Sequence, residues 1–300
     1  MATIARYIPG STATFTATIR DAAGSAVSSA SIAAATLTLK NGSTIINGRN
    51  AQNVLNANNV TINTDGGLVW SIQTADVDAS THCEHVATFT IVTTSNETIV
   101  ATHRMYISPT LALTSYEEVS LPLGELSESD QLYIQQLIDA LTDRAETYAG
   151  VRFAYVTGAV EVFSPHPERS SVRIKHVPID TVTDLREDED GDFGTDAVID
   201  AEDYFVNKEL GEIELRGGAT FLGGPGSAQV TYSGGYKSVG DVPMQLRMAA
   251  TEQVAYSYQR RSSMGVTSES VNGMSVTRYV TELLPAFKSA LDQICQKVVI

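Results

Sequence analysis

Cysteine is scarce in this sequence, since Cys83 and Cys295 are the only two among 300 residues. Two cysteines so far apart argue against a disulfide framework and are typical of a chain made and kept in a reducing cytosol. The segment from Met1 to Arg6 lacks the basic and apolar runs of a signal peptide. No stretch approaches the roughly 20 apolar residues that a membrane-spanning helix needs. The sequence therefore predicts a soluble protein made in the cytoplasm, with no membrane partner.

Basic residues are also few, because 20 Lys and Arg stand against 35 Asp and Glu and leave a net charge of -15. Residues 1–115 hold 5 basic and 6 acidic residues, whereas residues 116–300 hold the remaining 15 and 29. A protein that binds nucleic acid tightly needs a basic surface to replace the counterions of the phosphates. The sequence therefore argues against tight nucleic-acid binding, most strongly for its second part.

What the chain does contain is apolar residues, 43% of the total against 18% charged, a balance typical of folded globular proteins. Its 300 residues fit two domains of about 100–200 residues each. Residues 1–110 alternate apolar and polar side chains, as at Phe15, Ala17 and Ile19, and turn signals separate these runs. This pattern predicts an antiparallel β-sandwich of immunoglobulin-like type, with Trp70 in its core.

Residues 111–126 contain Pro122 and are predicted to be an extended linker, because a proline disfavours helix at the residue before it. A second domain is predicted at 127–300. Its first helix begins after a capping arrangement at Ser127 to Asp130 and ends before Gly150. Short strands follow up to Tyr236, a second helix begins near Asp241, residues 262–280 are predicted to be a loop, and a third helix begins near Thr281.

The run His82-Cys83-Glu84-His85 contains every residue type that commonly binds zinc. Consecutive residues of a strand point to opposite faces, however, so four neighbours do not converge on one ion. With only His103 nearby in sequence to add a ligand, we interpret the run as the polar start of a strand and predict no metal.

The run from Asp188 to Gly194 resembles a calcium loop only at first sight. An EF-hand needs glycine at its sixth position and glutamate at its twelfth, where this sequence has Phe193 and Ile199. The glycine-rich segments at 216–218 and 223–226 match neither a P-loop nor a dinucleotide fingerprint. The sequence also lacks the Gly-x-Ser-x-Gly elbow of a serine nucleophile. We therefore predict no enzymatic activity and no cofactor.

Residues 120–300 resemble the head-tail connector proteins of tailed bacteriophages, also called adaptor or head-completion proteins. The likeness lies in an opening helix, Ser129–Ala149, and in the order of short segments after it. These segments are Tyr148 to Val151, His176 to Ile179, Tyr204 to Val206, Gly211, Ile213 to Leu215, Val230 to Tyr236, and Val242-Pro243.

The resemblance implies an α+β protein of two domains, in which the β-sandwich precedes a mainly helical connector domain with a small β portion. It also implies a ring, by resemblance a dodecamer, between the portal protein and the next connector or tail-terminator protein. Double-stranded DNA would pass through the ring without specific binding. The expected place of the protein is therefore the head-tail junction of a virion. The family has no catalytic residues to carry over.

Two groups of residues are candidate sites under this interpretation. The acidic residues Asp188, Glu189, Asp190 and Asp192 would line the channel as a low-friction wall or keep unassembled copies apart. The apolar stripe of the last helix would face either the body of the domain or a neighbouring subunit or portal. The stripe consists of Leu284, Phe287, Leu291, Ile294 and Val298.

The N-terminal β-domain is an addition to a minimal connector, and it leaves a second hypothesis open. It would brace against the capsid, portal or fibres, or it would bind a host polysaccharide or another virion surface protein. A platform of exposed aromatic side chains would favour the polysaccharide, and residues 1–110 contain few aromatics.

Overall fold

A computed structural model describes residues 4–79, 81–261 and 283–295, and it separates the chain into two compact units. The first unit contains residues 1–110 and 125–135, and the second contains residues 111–124 and 136–300.

The first unit consists of two sheets. Its strands are β1 (Ala5–Tyr7), β2 (Ala13–Thr18), β3 (Ile32–Asn41), β4 (Thr44–Ile45), β5 (Gln52–Asn53), β6 (Val60–Ile62), β7 (Gly67–Ile72), β8 (Cys83–Thr93) and β9 (Thr98–Ile107). One sheet has the order β1-β9-β8-β3-β4, with β5 also paired to β3, and the other has the order β2-β7-β6. Strand β1 runs parallel to β9, whereas the other pairs are antiparallel.

Apolar side chains from both sheets of the first unit form one core. Leu37 and Phe89 come from the larger sheet, Leu68 and Trp70 come from the smaller one, and all four belong to the same buried cluster. The Trp70 side chain is 0% exposed, and its ring meets that of Phe89 edge-on at 5.6 Å between centroids. The prediction that Trp70 is a core residue is therefore confirmed.

The second unit combines helices with two three-stranded sheets. Its elements are α1 (Tyr116–Ser120), α2 (Glu128–Ala149, which begins in the first unit), β10 (Val156–Phe163), β11 (Ser171–Arg173), β12 (Ile179–Glu187), β13 (Tyr204–Asn207), β14 (Glu212–Leu215), β15 (Ala228–Gly234), α3 (Met244–Gln259) and α4 (Pro285–Cys295). The sheets have the orders β10-β15-β12 and β11-β14-β13. Apolar residues of both sheets, including Leu185, Ile213, Val230 and Tyr232, share one core.

The predicted fold class, with a mainly helical second domain, is wrong. Strands account for 35% of the chain and helices for 24%. Part of the difference is β12, a strand that the sequence pattern did not indicate. Its core residues Ile179, Val182 and Leu185 are three apart in sequence, and two irregularities in the pairing with β15 accommodate this spacing. The period of two that identifies a strand is therefore lost.

Helix boundaries follow the local signals closely. The Ser127 hydroxyl accepts a hydrogen bond from the Asp130 backbone N–H at 3.2 Å, as the predicted cap requires. Gly150 has a φ of 69° directly after the end of α2, the left-handed conformation that glycine adopts most readily. Helix α1 lies in a segment predicted to be extended, and Ser115 caps it by accepting a hydrogen bond from the Glu118 backbone N–H at 3.2 Å.

Candidate interaction sites

Three segments that are far apart in sequence meet at two glycines, in what we call the glycine junction: Ala154, His176, Pro178, Gly234 and Gly235. A Cβ atom on Gly234 would lie 2.7 Å from the His176 carbonyl oxygen and 2.9 Å from that of Pro178. A Cβ atom on Gly235 would lie 2.4 Å from the carbonyl oxygen of Ala154, and the φ of Gly235 is 101°. No side chain fits at either position, so the close approach of these backbones requires glycine.

Other contacts tie the junction to its surroundings. A Cβ atom on Gly211 would lie 2.3 Å from Val177 Cγ1, so the turn at Gly211 packs against the segment before Pro178. The backbone N–H of Tyr236 donates to the Phe153 carbonyl at 2.7 Å. The backbone N–H of Phe153 in turn donates to the Glu146 carboxylate at 2.9 Å. The turn at Gly211, the segment before Pro178 and the end of β15, which all belong to the resemblance to connector proteins, are therefore packed against each other.

The acidic turn, residues 188–194, begins directly after β12 and is organised by Asp188. Its carboxylate accepts hydrogen bonds from the backbone N–H groups of Asp190 at 3.0 Å and Phe193 at 2.9 Å. The Arg186 guanidinium donates to the Phe193 carbonyl and forms an ion pair with Asp184 at 2.5 Å. The first of the predicted site residues, Asp188, therefore has a structural role in shaping the turn.

The other three predicted acids of the turn, Glu189, Asp190 and Asp192, are exposed. They belong to a strongly charged segment, because residues 184–203 contain 10 acidic residues and one basic residue, a balance of -9 within the total of -15. Like charges so close together repel each other and attract cations or basic partners. The structure thus separates one acid that holds the turn from three that are free to face a partner.

The opposite end of the β12–β15 pair carries a small surface cluster that no sequence pattern predicts. The Asp180 carboxylate accepts a hydrogen bond from the Tyr155 hydroxyl at 2.9 Å and pairs with Lys237 at 3.2 Å, and these contacts lower the pKa of Asp180. The Lys237 ammonium lies 4.6 Å from the centre of the Tyr155 ring. A cavity of about 490 Å³ adjoins the cluster, with Lys208 and Glu209 on its wall. The charged residues that line this cavity are two lysines, Lys208 and Lys237, and three acids, Asp180, Glu209 and Asp241. With two positive and three negative groups, the lining does not indicate a ligand of one particular charge.

Part of the predicted apolar stripe at helix α4 is buried within the second unit. Phe287 and Leu291 are buried, whereas Leu284 and Ile294 are partly exposed. The backbone N–H of Leu284 donates to the side-chain oxygen of Gln253 in α3 at 2.6 Å. The stripe therefore faces the body of its own unit at its two central residues. Val298, the last residue of the predicted stripe, lies outside the described residues, and docking of this helix on a partner stays a prediction.

The residues of the His82–His85 run go to different places. The His82 ring contacts the Thr110 hydroxyl at 3.1 Å. The buried His85 ring contacts the Asp76 carbonyl through Nδ1 at 2.9 Å and Cys83 Sγ through Nε2 at 3.4 Å. Burial raises the pKa of the Cys83 thiol. Glu84 forms an ion pair with Arg104 at 2.5 Å, and within the described residues no three metal-binding side chains converge.

The first unit contains a buried ion pair that no sequence pattern predicted. Arg49 Nε and Nη2 donate to the two carboxylate oxygens of Asp76 at 2.5 Å and 2.9 Å. The Arg49 guanidinium also lies 5.7 Å from the centre of the Trp70 ring. The exposed fractions of the two charged side chains are 4% and 0%. Each charge has its partner inside the unit, so the pair is structural and offers no site for a ligand.

The aromatic side chains of the first unit do not form an exposed platform. Trp70, Phe89 and Tyr106 are buried. Phe15 and Tyr7 are partly buried, and both pack on the His103 ring. The surface feature expected for stacking against sugar rings is thus missing from the named aromatics of this unit.

Among the described helices, none is both long and apolar enough to cross a membrane.

No protein-family model and no curated protein matches the chain. Solved structures similar to part of it include a chain from the neck of an empty gene transfer agent particle computed with C6 symmetry. That chain is 16% identical, with coverage of 57% of this chain and 94% of its own, at a TM-score of 0.37.

A second similar chain comes from the neck of the native gene transfer agent particle computed with C12 symmetry. It is 17% identical and covers 58% of this chain and 98% of its own, at a TM-score of 0.30. A third, from the virion of the native particle, is 17% identical and covers 61% and 89%, at a TM-score of 0.32. These are likenesses to neck and virion components, and TM-scores this low do not establish a shared fold.

Proposed function

We propose that this chain is a structural protein of the neck of a tailed, phage-like particle, where it forms a ring that joins head to tail. The observation that carries the proposal is the glycine junction. Three of the segments on which the resemblance to head-tail connectors rests are far apart in sequence, namely 176–179, Gly211 and 230–236, yet they pack together because Gly211 meets Val177 and Gly234 meets His176 and Pro178. Packing of these three segments on one another supports a shared scaffold as the reason that they occur together.

In this role the chain has partners on both sides and beside it. The portal protein lies on one side, the next connector or tail-terminator protein lies on the other, and further copies complete the ring, by resemblance a dodecamer. A ring needs two different, complementary surfaces on each copy, since head-to-tail contacts close into a circle. In this role the first unit braces against neighbouring components of the particle.

The acidic turn is the part of this protein that suits a DNA channel. Glu189, Asp190 and Asp192 are exposed, and carboxylates on a channel wall repel the phosphates of DNA. Such a wall lets DNA pass without binding it.

Electron microscopy of the particles that form when the gene is deleted tests the proposal. Separate tails together with DNA-leaking or empty heads are the expected result, because a missing connector leaves the head unsealed and the tail unattached. Supplying the intact chain from a plasmid is expected to restore joined particles. Complete, infectious virions in the deletion strain would contradict the proposal.

The channel role of the acidic turn has its own test. Glu189→Lys, Asp190→Lys and Asp192→Lys together are expected to slow DNA ejection, measured as dye-detected DNA release, because lysines attract the passing phosphates. Asp188 is left intact, since its carboxylate holds the turn. Three exposed acids elsewhere, Glu117, Glu125 and Glu252, provide the matched control when changed together to Lys. Unchanged ejection by the triple variant in joined particles would remove the channel role while leaving the joining role intact.

A further inference from the structure

Strand β10 is an edge strand whose outer side is bare. It pairs with β15 on one side, and within the described residues no strand pairs with it on the other. An unpaired edge presents a row of backbone N–H and C=O groups that can pair with another extended chain. The pairing of β10 with β15 is interrupted between Val156 and Ala159 and is regular over residues 159–163. This regular part has five residues, whereas the edges β11 and β13 of the neighbouring sheet have three and four.

The other edge of the same sheet, β12, is covered. Arg186 forms a bridge with Val198, and the Ile199 backbone N–H donates to the Leu185 carbonyl at 2.8 Å. Near the start of the strand the Lys208 ammonium donates to the Asp180 carbonyl at 2.7 Å. Proteins commonly protect the edge of a sheet by packing another segment over it or by placing a lysine beside it. One edge of this sheet is thus protected along its length, whereas the other is interrupted only at its start, between Val156 and Ala159.

The side chains of β10 also lack protection. Val160 and Val162 lie on the face away from the core and are 58% and 55% exposed. Glu161 is the only charged residue of the strand, and its carboxylate points to the inner face, where it accepts a hydrogen bond from the Tyr232 hydroxyl. The edge therefore offers two exposed apolar side chains with no charge between them on the outer face.

The acidic turn lies beside this edge. A Cβ atom on Gly226 would lie 3.5 Å from Val162 Cγ1, and one on Gly191 would lie 3.7 Å from the Gly226 carbonyl oxygen. Gly226 thus lies next to both Val162 and Gly191. Asp190 and Asp192, the exposed neighbours of Gly191, place negative charge at the end of the edge where Phe163 pairs with Ala228.

We propose that β10 and the acidic turn together form a docking site for an extended segment of another protein, which adds to the sheet as a further strand. The segment has alternating apolar residues, which pack on Val160 and Val162, and lysines or arginines at one end, which pair with Glu189, Asp190 and Asp192. Backbone hydrogen bonds supply affinity in strand addition, and side chains supply selectivity. The inference goes beyond the proposed role in joining head to tail and does not depend on it. It competes with the channel role of the acidic turn, because carboxylates that pair with a docked segment no longer repel DNA.

A labelled synthetic peptide tests the site on the full chain. In the probe, valine and threonine alternate and lysines stand at one end, and binding is followed by fluorescence anisotropy. We expect saturable binding that weakens as salt is raised. We also expect the amide protons of β10 to exchange more slowly in the complex, since strand addition gives them partners.

Two sets of variants separate the parts of the site. Val160→Lys with Val162→Lys is expected to weaken binding by at least about tenfold, because lysine on an edge blocks strand addition. Neutralising the turn with Glu189→Gln, Asp190→Asn and Asp192→Asn is expected to weaken binding of the lysine probe but not of a probe without lysines. Val100, an equally exposed valine on β9 at 60%, provides the matched control as Val100→Lys.

Several outcomes would overturn the proposal. One is full binding by the double valine variant with an unchanged melting curve, and another is an equal loss of binding in Val100→Lys. Self-association of the chain in sedimentation velocity, abolished by the valine substitutions, would make a second copy the occupant and would also refute it. None of these results bears on whether deletion of the gene separates heads from tails, so the docking site and the joining of head to tail are tested separately.

Discussion

At the scale of single residues, His103 in β9 is a histidine buried among aromatic side chains. It is 6% exposed, its Nε2 lies 3.0 Å from the Tyr7 hydroxyl, and its ring stacks on that of Phe15 at 4.0 Å between centroids. Burial lowers the pKa of His103 to about 4, because the charged form loses its hydration. The side chain is therefore neutral in the folded protein at neutral pH and belongs to the core.

This burial predicts a pH dependence of stability. Between about pH 6.5, the pKa of an exposed histidine, and about pH 4, only the unfolded state binds the proton. The contribution of His103 is complete above that window and is lost as the pH falls through it, by at most about 1.4 kcal/mol per pH unit. Urea unfolding of wild type and His103→Gln at pH 7 and pH 5 measures it. The gap between the two proteins is expected to narrow at pH 5, and a gap of constant size would contradict the buried, neutral histidine.

Gly235 provides a second prediction at this scale. Gly235→Ala places a Cβ atom 2.4 Å from the Ala154 carbonyl oxygen at a positive φ, so it combines a clash with backbone strain. We expect the free energy of unfolding to fall by about 2–4 kcal/mol. Gly217→Ala is the control, because Gly217 also has a positive φ but has nothing within 4 Å of the added atom.

The control is expected to cost about 1 kcal/mol, the strain alone. Both variants are compared by urea denaturation with the transition of the second unit as the signal. Equal losses in the two proteins would mean that the close approach of Gly235 to Ala154 has no energetic consequence.

At the scale of elements, α4 shows how a stripe on a helix is used. Its three-and-four spacing predicts an apolar face but does not identify what covers that face. In the structure Phe287 is 0% exposed, and α4 packs on α3. A side chain buried in this way contributes to the stability of the isolated chain, whereas a docking residue does not.

Phe287→Ala is therefore expected to lower the free energy of unfolding by about 3–5 kcal/mol, as for other buried aromatic side chains. The partly exposed Leu284 is the matched comparison, and Leu284→Ala is expected to cost clearly less. Thermal and urea unfolding of the isolated chain measure both. A negligible loss for Phe287→Ala would show that the stripe is uncovered in the free chain and available to a partner.

At the scale of the whole molecule, the main feature is a large negative net charge. The net charge of -15 is concentrated, since residues 184–203 hold -9 of it. Repulsion by such a surface opposes contact with DNA at any salt concentration and acts over a longer range as salt is lowered.

We therefore expect no binding to a labelled DNA duplex, measured by fluorescence anisotropy at physiological salt. Lowering the salt strengthens non-specific binding of basic proteins, but it is expected to leave this chain unbound. A basic DNA-binding protein serves as the positive control. Saturable binding at low salt would contradict the view that DNA passes this protein without being held.

The sequence by itself determined the elements whose signals are local. The cap at Ser127, the stop at Gly150 and the alternation of Phe15 and Ala17 in β2 all depend on neighbours in the chain, and steric or hydrogen-bond rules act on such neighbours directly. The burial of Trp70 and the exposure of Glu189, Asp190 and Asp192 also follow from the chemistry of the side chains.

Only the tertiary structure decided the rest, because those features depend on residues that are distant in sequence. Strand β12 could not be predicted, because its pairing with β15 is irregular and its apolar residues do not alternate. The hydrogen bonds by which Asp188 shapes its turn could not be predicted from composition either. The meeting of Gly234 and Gly235 with Ala154, and the bare edge of β10 beside Gly226, exist only once the sheet has formed. A pattern along the chain records which side chains prefer burial, but the partner of each backbone is fixed by packing in three dimensions.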